Sequence, residues 1–223
     1  MELLASGRDC DVYDRGDGTV LRRSRRGKDQ GPEARILQYA AEQGLPVPRV
    51  HELADGGRDL IMEKVEGPTM VDVLTRRPWQ ARAVGRQLAE LHTAVHARPG
   101  PDWLPGLPGG DALLHFDLHP LNVILSPRGP VIIDWTNACR GRPGYDLARA
   151  WILMAATEAD VSPVLRLALG PIRRALVGSF LDAVDRDEAR AGLRYAVELT
   201  CLDPNIADTE QARMRALATA EAT

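Results

Sequence analysis

Lysine is nearly missing from this chain. Of its 28 basic residues only Lys28 and Lys64 are lysines, and the rest are arginines. Arginine richness is what a GC-rich coding background produces, but chemistry that requires an ammonium group has just two candidates. Aromatic residues make up only 4% of the sequence. The three cysteines, Cys10, Cys139 and Cys201, form no CxxC pair and no disulfide framework, so reduced thiols and a cytoplasmic setting are expected. No basic start followed by an apolar run opens the sequence, so a secretory leader is not expected. No stretch approaches the 18 or so apolar residues of a membrane span, which leaves no membrane partner. The formal net charge of −3 provides no basic field for nucleic acid. A P-loop, which needs G-x-x-x-x-G-K-[ST], is also lacking.

What is present is an ordinary globular balance, 44% hydrophobic and 26% charged, over 223 residues, enough for two small lobes with their own cores. The first part reads as short strands with one helix. Extended runs at Asp11–Asp14 and Thr19–Arg22 flank Gly16-Asp17-Gly18, a hairpin signal. Gly31-Pro32-Glu33 opens a helix whose apolar positions run to Gly44, a C-terminal stop. Two further strands are expected around Arg49–Leu53 and Asp59–Glu63. Gly67-Pro68 marks the lobe boundary, giving an N-terminal lobe over 1–66 and a helical lobe over 67–223.

In the second part, Val84, Leu88, Leu91 and Val95 lie on one helical stripe between about Pro78 and His96. The Pro- and Gly-rich stretch Arg98–Gly110 reads as loop. Val123–Leu125 and Val131–Ile133, joined by Ser126-Pro127-Arg128-Gly129-Pro130, read as a second hairpin. Helical patterns follow from Tyr145, with breaks expected near Ser162-Pro163, Gly170-Pro171 and Asp203-Pro204.

The chemistry concentrates in Leu113–Trp135, LLHFDLHPLNVILSPRGPVIIDW. His115, Asp117 and Asn122 form H-x-D-x-x-x-x-N between a loop and a strand, and Asp134 follows the next strand. A carboxylate at Asp117 can orient a hydroxyl and accept its proton. The Asn122 amide oxygen and the Asp134 carboxylate are hard oxygen donors suited to Mg²⁺. Each residue alone also fits a cap, turn or strand end. A transition-metal site built from His115, Asp117, His119 and Asp134 is a second reading of the same residues.

LLHFDLHPLNVIL followed by VIIDW resembles the aminoglycoside phosphotransferase family and its choline kinase-like relatives. VLRR, PEARILQYAAEQGLPVPRVHEL, LIMEKVEGPTM and RGRPGYDLARAW extend the resemblance. It implies an α+β, protein-kinase-like bilobal fold: a small antiparallel sheet lobe with one helix, then a larger, mainly helical lobe. It implies transfer of the γ-phosphate of ATP, or of GTP, to a hydroxyl of a small molecule; a monomer is the favoured state, which the sequence does not fix. Asp117 would be the catalytic base and Asn122 and Asp134 the Mg²⁺ ligands. His115 and Asp146 would brace the catalytic loop, and His119 would shape it. On the nucleotide side Arg22 stands where the family usually has lysine, with Glu33 as its partner. Gly7 and Arg8 belong to the loop that would cover the phosphates. Met62, Glu63, Lys64 and Val65 would form the hinge beside the base. A polycationic acceptor would need an acidic wall, which Asp203, Asp208, Glu210, Asp102 or Asp111 could supply. The alternative is a catalytically inactive nucleotide-binding pseudokinase, motivated by Arg22.

Overall fold

The computed structural model describes residues 1–7, 9–156, 163–202 and 206–221, with side chains outside 163–168. The chain forms two compact units, each assembled from two stretches. Met1–Pro68 joins Val123–Thr136, and Thr69–Asn122 joins Asn137–Thr223.

The first unit is built on one antiparallel sheet. Its strands are β1 (Glu2–Ser6), β2 (Cys10–Asp14), β3 (Thr19–Ser24), β4 (Val50–Ala54) and β5 (Asp59–Glu63), in the order β1-β2-β3-β5-β4. The β2–β3 hairpin turns where Gly16 and Gly18 take φ of +79° and +82°, conformations glycine adopts without a Cβ penalty. Helix α1 (Gly31–Glu42) starts with proline in its first turn and buries Ala34, Ile36, Leu37 and Ala40 along one stripe. It ends on Gly44 at φ +76°, with the Leu45 N–H reaching the Ala40 carbonyl, a Schellman-type stop.

The hairpin β7 (Val123–Ser126) and β8 (Gly129–Ile132) belongs to this unit despite its place in the sequence. The Ile132 N–H donates to the Pro46 carbonyl at 2.8 Å and the Leu125 N–H to the Pro68 carbonyl at 2.8 Å. Gly67, at φ +145°, allows that approach, because a Cβ there would strike the Leu125 carbonyl. Arg128 reaches Glu63 at 2.9 Å. Buried Val123, Val131, Ile132 and Trp135 fix the hairpin, and Asp134 emerges directly after it.

The second unit is mainly helical: α2 (Met70–Arg76), α3 (Ala81–His96), α4 (Pro143–Ala156), α5 (Pro163–Leu181), α6 (Arg186–Thr200) and α7 (Asp208–Ala220). Two short strands, β6 (Ala112–Leu114) and β9 (Cys139–Gly141), pair antiparallel beside them. α3 buries Val84, Leu88, Leu91 and Val95, as their spacing predicts, and also His92. α4 and α6 cross at Gly144 and Gly192, where a Cβ on Gly192 would collide with the Gly144 carbonyl. α4 meets the loop carrying Asp117 through Asp146, which accepts the Phe116 N–H at 2.9 Å.

Beyond the short strands β6 and β9 and the place of the β7–β8 hairpin in the first unit, the structure departs from the sequence reading at α2, Pro171 and Arg98–Gly110. α2 was not expected; Thr69 and Asp72 form a capping box that starts it. α5 runs through Pro171, where a break is predicted. Gly170 precedes that proline, and without a Cβ it escapes the clash that pushes most residues before proline out of helix. The stretch expected to be pure loop, Arg98–Gly110, makes isolated bridges to β6 and β9 at Pro99–Ala112 and Gly106–Arg140. The breaks expected near Ser162 and at Asp203-Pro204 fall outside the described residues. No helix among the described residues is long and apolar enough to cross a membrane. All three cysteines are free, and burial pushes the Cys139 thiol up to about 12, leaving it unreactive.

Candidate active site

The first unit gathers Arg22, Glu33 and Asp134 into one polar cluster. Arg22 projects from β3 and pairs with Glu33 in the first turn of α1 through Nη1. Nη1 also donates to Gln30 Oε1 at 3.2 Å, and Nη2 donates to Asp134 Oδ1 at 3.2 Å and Thr136 Oγ1 at 3.2 Å. Thr136 Oγ1 in turn bonds Asp134 Oδ1 at 2.7 Å. The Arg22 side chain is 12% exposed, Glu33 6% and Asp134 44%, so the carboxylate of Asp134 faces outward while the pair behind it is buried. Arginine's planar fork lets one side chain bridge both carboxylates, a geometry a compact ammonium does not reproduce. Asp134 takes φ +60°, a left-handed conformation that aspartate tolerates better than most residues.

Elsewhere in this unit, Gly7 makes a tight turn, its N–H donating to the Cys10 carbonyl at 2.9 Å. Arg8 lies outside the described residues. Met62, Glu63 and Val65 are half-buried at the end of β5. The Glu63 N–H is engaged by the Arg49 carbonyl at 2.8 Å, and its carboxylate by Arg128. Neither lysine joins the Arg22 cluster; Lys64 Nζ donates to Asp14 Oδ2 at 2.7 Å.

The second unit organises the Asp117 loop around a buried carboxylate. Asp146, in the first turn of α4, accepts the Phe116 N–H at 2.9 Å on Oδ1 and the His115 N–H at 3.2 Å on Oδ2. His96 Nε2, from α3, lies 2.9 Å from Oδ2. Burial by itself would raise the Asp146 carboxyl, but the His96 hydrogen bond and the charge interactions with His92, His96 and His115 together outweigh it and hold the group well below the usual carboxylate range. This clamp fixes Phe116 at φ +61°, an unfavourable conformation for a bulky residue. Asp117 follows directly, with its N–H donating to His115 Nδ1 at 3.2 Å.

Asn122, at the end of a single 3-10 turn over Pro120–Asn122, holds Asp117 in place. Its Nδ2 donates to the Asp117 carbonyl at 2.9 Å and to Oδ2 at 3.3 Å. Its side-chain hydrogen bonds all run from Nδ2, so Oδ1 has no protein partner among the described residues. That is the oxygen a hard divalent cation would take, and the Asp134 carboxylate is the other donor of the right kind, so both suit Mg²⁺. His119 Nε2 lies 3.8 Å from Asp117 Oδ2, and its Nδ1 faces the Leu121 N–H at 3.3 Å.

Two residues that the sequence reading passed over complete the loop's surroundings. His96 supports Asp146. Arg149, one helical turn after Asp146, sets its guanidinium 4.9 Å from the Phe116 ring centroid and 3.8 Å from Asp117 Oδ1. Its i+3 spacing from Asp146 was the available signal. The transition-metal reading is not supported: among the described residues no group of three or more His, Cys, Asp or Glu could hold a metal ion. His115 instead turns its Nδ1 to the Asp117 amide. Of the acids expected to form an acidic wall, two are engaged and two are exposed. Asp102 pairs with Arg140 at 2.8 Å, Glu210 accepts the Ala207 N–H at the start of α7, Asp111 and Asp208 are exposed, and Asp203 lies outside the described residues.

Comparison with known proteins agrees with this architecture. The KEOPS complex subunit Bud32 of Pyrococcus abyssi is 32% identical over 108 residues, a match spanning 46% of this chain and only 41% of that protein. The streptomycin–ATP ternary complex of APH(2")-IIa superposes with a TM-score of 0.60 at 15% identity, covering 89% of this chain and 82% of that one. A choline/ethanolamine kinase family protein from Mesorhizobium loti gives a TM-score of 0.58 at 17% identity, covering 97% and 87%. These two share the protein-kinase-like fold with this chain. The model of the phosphotransferase enzyme family (APH) matches residues 1–111 and 102–176, and the chain belongs to that family.

Proposed function

We propose that this protein transfers the γ-phosphate of ATP, or of GTP, to a hydroxyl of a small molecule, with Asp117 as the base. The observation that carries this is the hold on Asp117. Its backbone is fixed through Asp146 and His115, and Asn122 Nδ2 grips both its carbonyl and its carboxylate. A carboxylate carried on a fixed backbone and gripped by Asn122 is prepared to orient one hydroxyl, and in phosphoryl transfer positioning is most of what a protein contributes.

In the reaction, the acceptor oxygen forms a bond to the γ-phosphorus as the bond from that phosphorus to the β,γ-bridging oxygen breaks. Asp117 takes the hydroxyl proton, and the nucleoside diphosphate leaves with the electron pair. Asn122 Oδ1 and Asp134 would hold magnesium, which would supply neutralisation of the phosphate charge. Arg22, steadied by Glu33, donates to phosphate oxygens in the role lysine usually fills. Gly7 allows the covering loop to approach the phosphates. Met62, Glu63 and Val65 line the base, where Val65 makes no hydrogen bond among the described residues and so offers its peptide. His119 shapes the loop beside Asp117.

The test is ADP release with a panel of aminoglycosides, amino alcohols, sugars and nucleosides. The reading predicts Mg²⁺-dependent turnover with at least one acceptor, and Asp117→Asn with nucleotide affinity retained but transfer reduced by about 10²–10⁴-fold. Unchanged transfer in that variant would sink the assignment. The second reading, an inactive nucleotide-binding module, draws on Arg22 lying against Asp134. Nucleotide binding without turnover across the whole panel would favour it.

A further inference from the structure

Arg149 is poorly explained as a structural residue. Its guanidinium carries five N–H donors. One, on Nη1, bonds Thr200 Oγ1 at 2.9 Å. Nε is buried with no partner among the described residues. Nη2 stands 3.8 Å from Asp117 Oδ1, beyond hydrogen-bond reach and well short of the 2.7–2.9 Å of a closed arginine–carboxylate pair. Yet the side chain is firmly placed. Thr200 is fully buried and donates to the Ala196 carbonyl at 2.7 Å, and the guanidinium lies against Phe116. The result is a fixed cation with unsatisfied donors, 13% exposed, beside the residue that meets the acceptor hydroxyl.

Among the described residues, three carboxylates of this unit that could attract a polycation are engaged elsewhere. Asp102 is held by Arg140, Glu188 by Arg142 at 2.6 Å, and Glu210 by the start of α7. A cationic acceptor would approach Arg149 against charge repulsion.

We propose that Arg149 selects the acceptor: the hydroxyl offered to Asp117 belongs to a molecule that also carries an anionic oxygen group, a carboxylate or a phosphate, which the guanidinium binds. The inference rests on the reading of Asp117 above and adds to it the chemical class of the acceptor.

The experiment uses matched acceptors with the full chain and Mg²⁺-ATP. One series is glycerol, glycerate, glycerol 3-phosphate and 3-amino-1,2-propanediol. The other is glucose, gluconate, glucose 6-phosphate and glucosamine. The anionic members are expected to exceed their neutral and aminated counterparts by 10-fold or more in kcat/KM. The carboxylate and phosphate arms report which group fits. Arg149→Met should abolish that preference, mainly through KM for the anionic members, while Arg149→Lys retains part of it. Thr200→Val, which removes the anchor and keeps the charge, should weaken the preference without reversing it, so the proposal does not depend on Arg149→Met folding. Equal or better use of neutral or aminated acceptors, absence of both binding and transfer for every anionic member, or an Arg149→Lys preference unchanged from wild type with Thr200→Val also unchanged would overturn it. Asp117→Asn separates the two ideas: retained transfer in that variant refutes the base assignment, whereas lost transfer with no charge preference in the wild type refutes only the role of Arg149.

Discussion

Replacing Asp146 with asparagine changes one atom and tests how the Asp117 loop is held. The carboxylate accepts from the Phe116 N–H, the His115 N–H and His96 Nε2. Asparagine can keep the Phe116 bond on its carbonyl oxygen. Its Nδ2 then faces the His115 N–H donor to donor, while the His96 ring can turn its lone pair to meet it. One buried N–H is orphaned, at about 1–3 kcal/mol, and the charge assistance of the remaining bonds is lost. Together these amount to about 2–4 kcal/mol, a fall in Tm of roughly 5–15 °C for a chain of this size. Phe116 is held at φ +61° by the same carboxylate, so the loop should relax and transfer should drop at least 10-fold even where the protein stays folded. The sign with pH follows from the depressed Asp146 carboxyl. Its contribution is complete above the ordinary carboxylate value of 3.8 and is lost as pH falls below it. Urea denaturation of both proteins from pH 7 to pH 3 should therefore show a stability gap that is full at neutral pH and narrows only at the acid end. A variant within 0.5 kcal/mol of wild type at pH 7, on the order of an ordinary surface substitution, refutes the clamp.

Three further outcomes are expected. Burial pushes His92 down to about 4 from its ordinary 6.5, against the pull of nearby Asp146, so the folded state resists its protonation. Stability from this residue should fall by about 3 kcal/mol between pH 6.5 and pH 4, and His92→Leu should flatten that slope in pH-dependent melts. Gly192→Ala should cost about 1–3 kcal/mol by forcing α6 off the Gly144 carbonyl, read as a lower urea midpoint. Arg22→Met leaves Glu33 buried and unpaired and should cost about 3–5 kcal/mol, whereas Arg22→Lys should lose less stability and keep part of the nucleotide affinity. Melting curves and ATP titrations of both variants check this.

Much of the first unit was legible because its signals are local. Gly16-Asp17-Gly18 announces a hairpin, and proline at the start of α1 with Gly44 at its end brackets a helix. The Arg22–Glu33 contact followed from resemblance rather than spacing, and the geometry brings the two together. What escaped depends on distant partners or on motifs read too narrowly. β6 and β9 are three-residue strands that exist only through each other. The β7–β8 hairpin joins the first unit through the Pro46 and Pro68 carbonyls, which no local pattern records. α2 did have a signal, the Thr69-x-x-Asp72 capping box, but it is a short helix beside a Gly-Pro break. Arg149 looked like another arginine in an arginine-rich chain; only the orientation of α4 against Phe116 and Asp117 distinguishes it.

The central claim is that Asp117 activates the acceptor hydroxyl. Its most direct measurement is single-turnover transfer of labelled γ-phosphate from Mg²⁺-ATP to the best acceptor of the panel, by wild type and Asp117→Asn at matched nucleotide occupancy. The account predicts labelled product from wild type and a loss of about 10²-fold or more in the variant. Labelled product formed at the same rate by both proteins would contradict it.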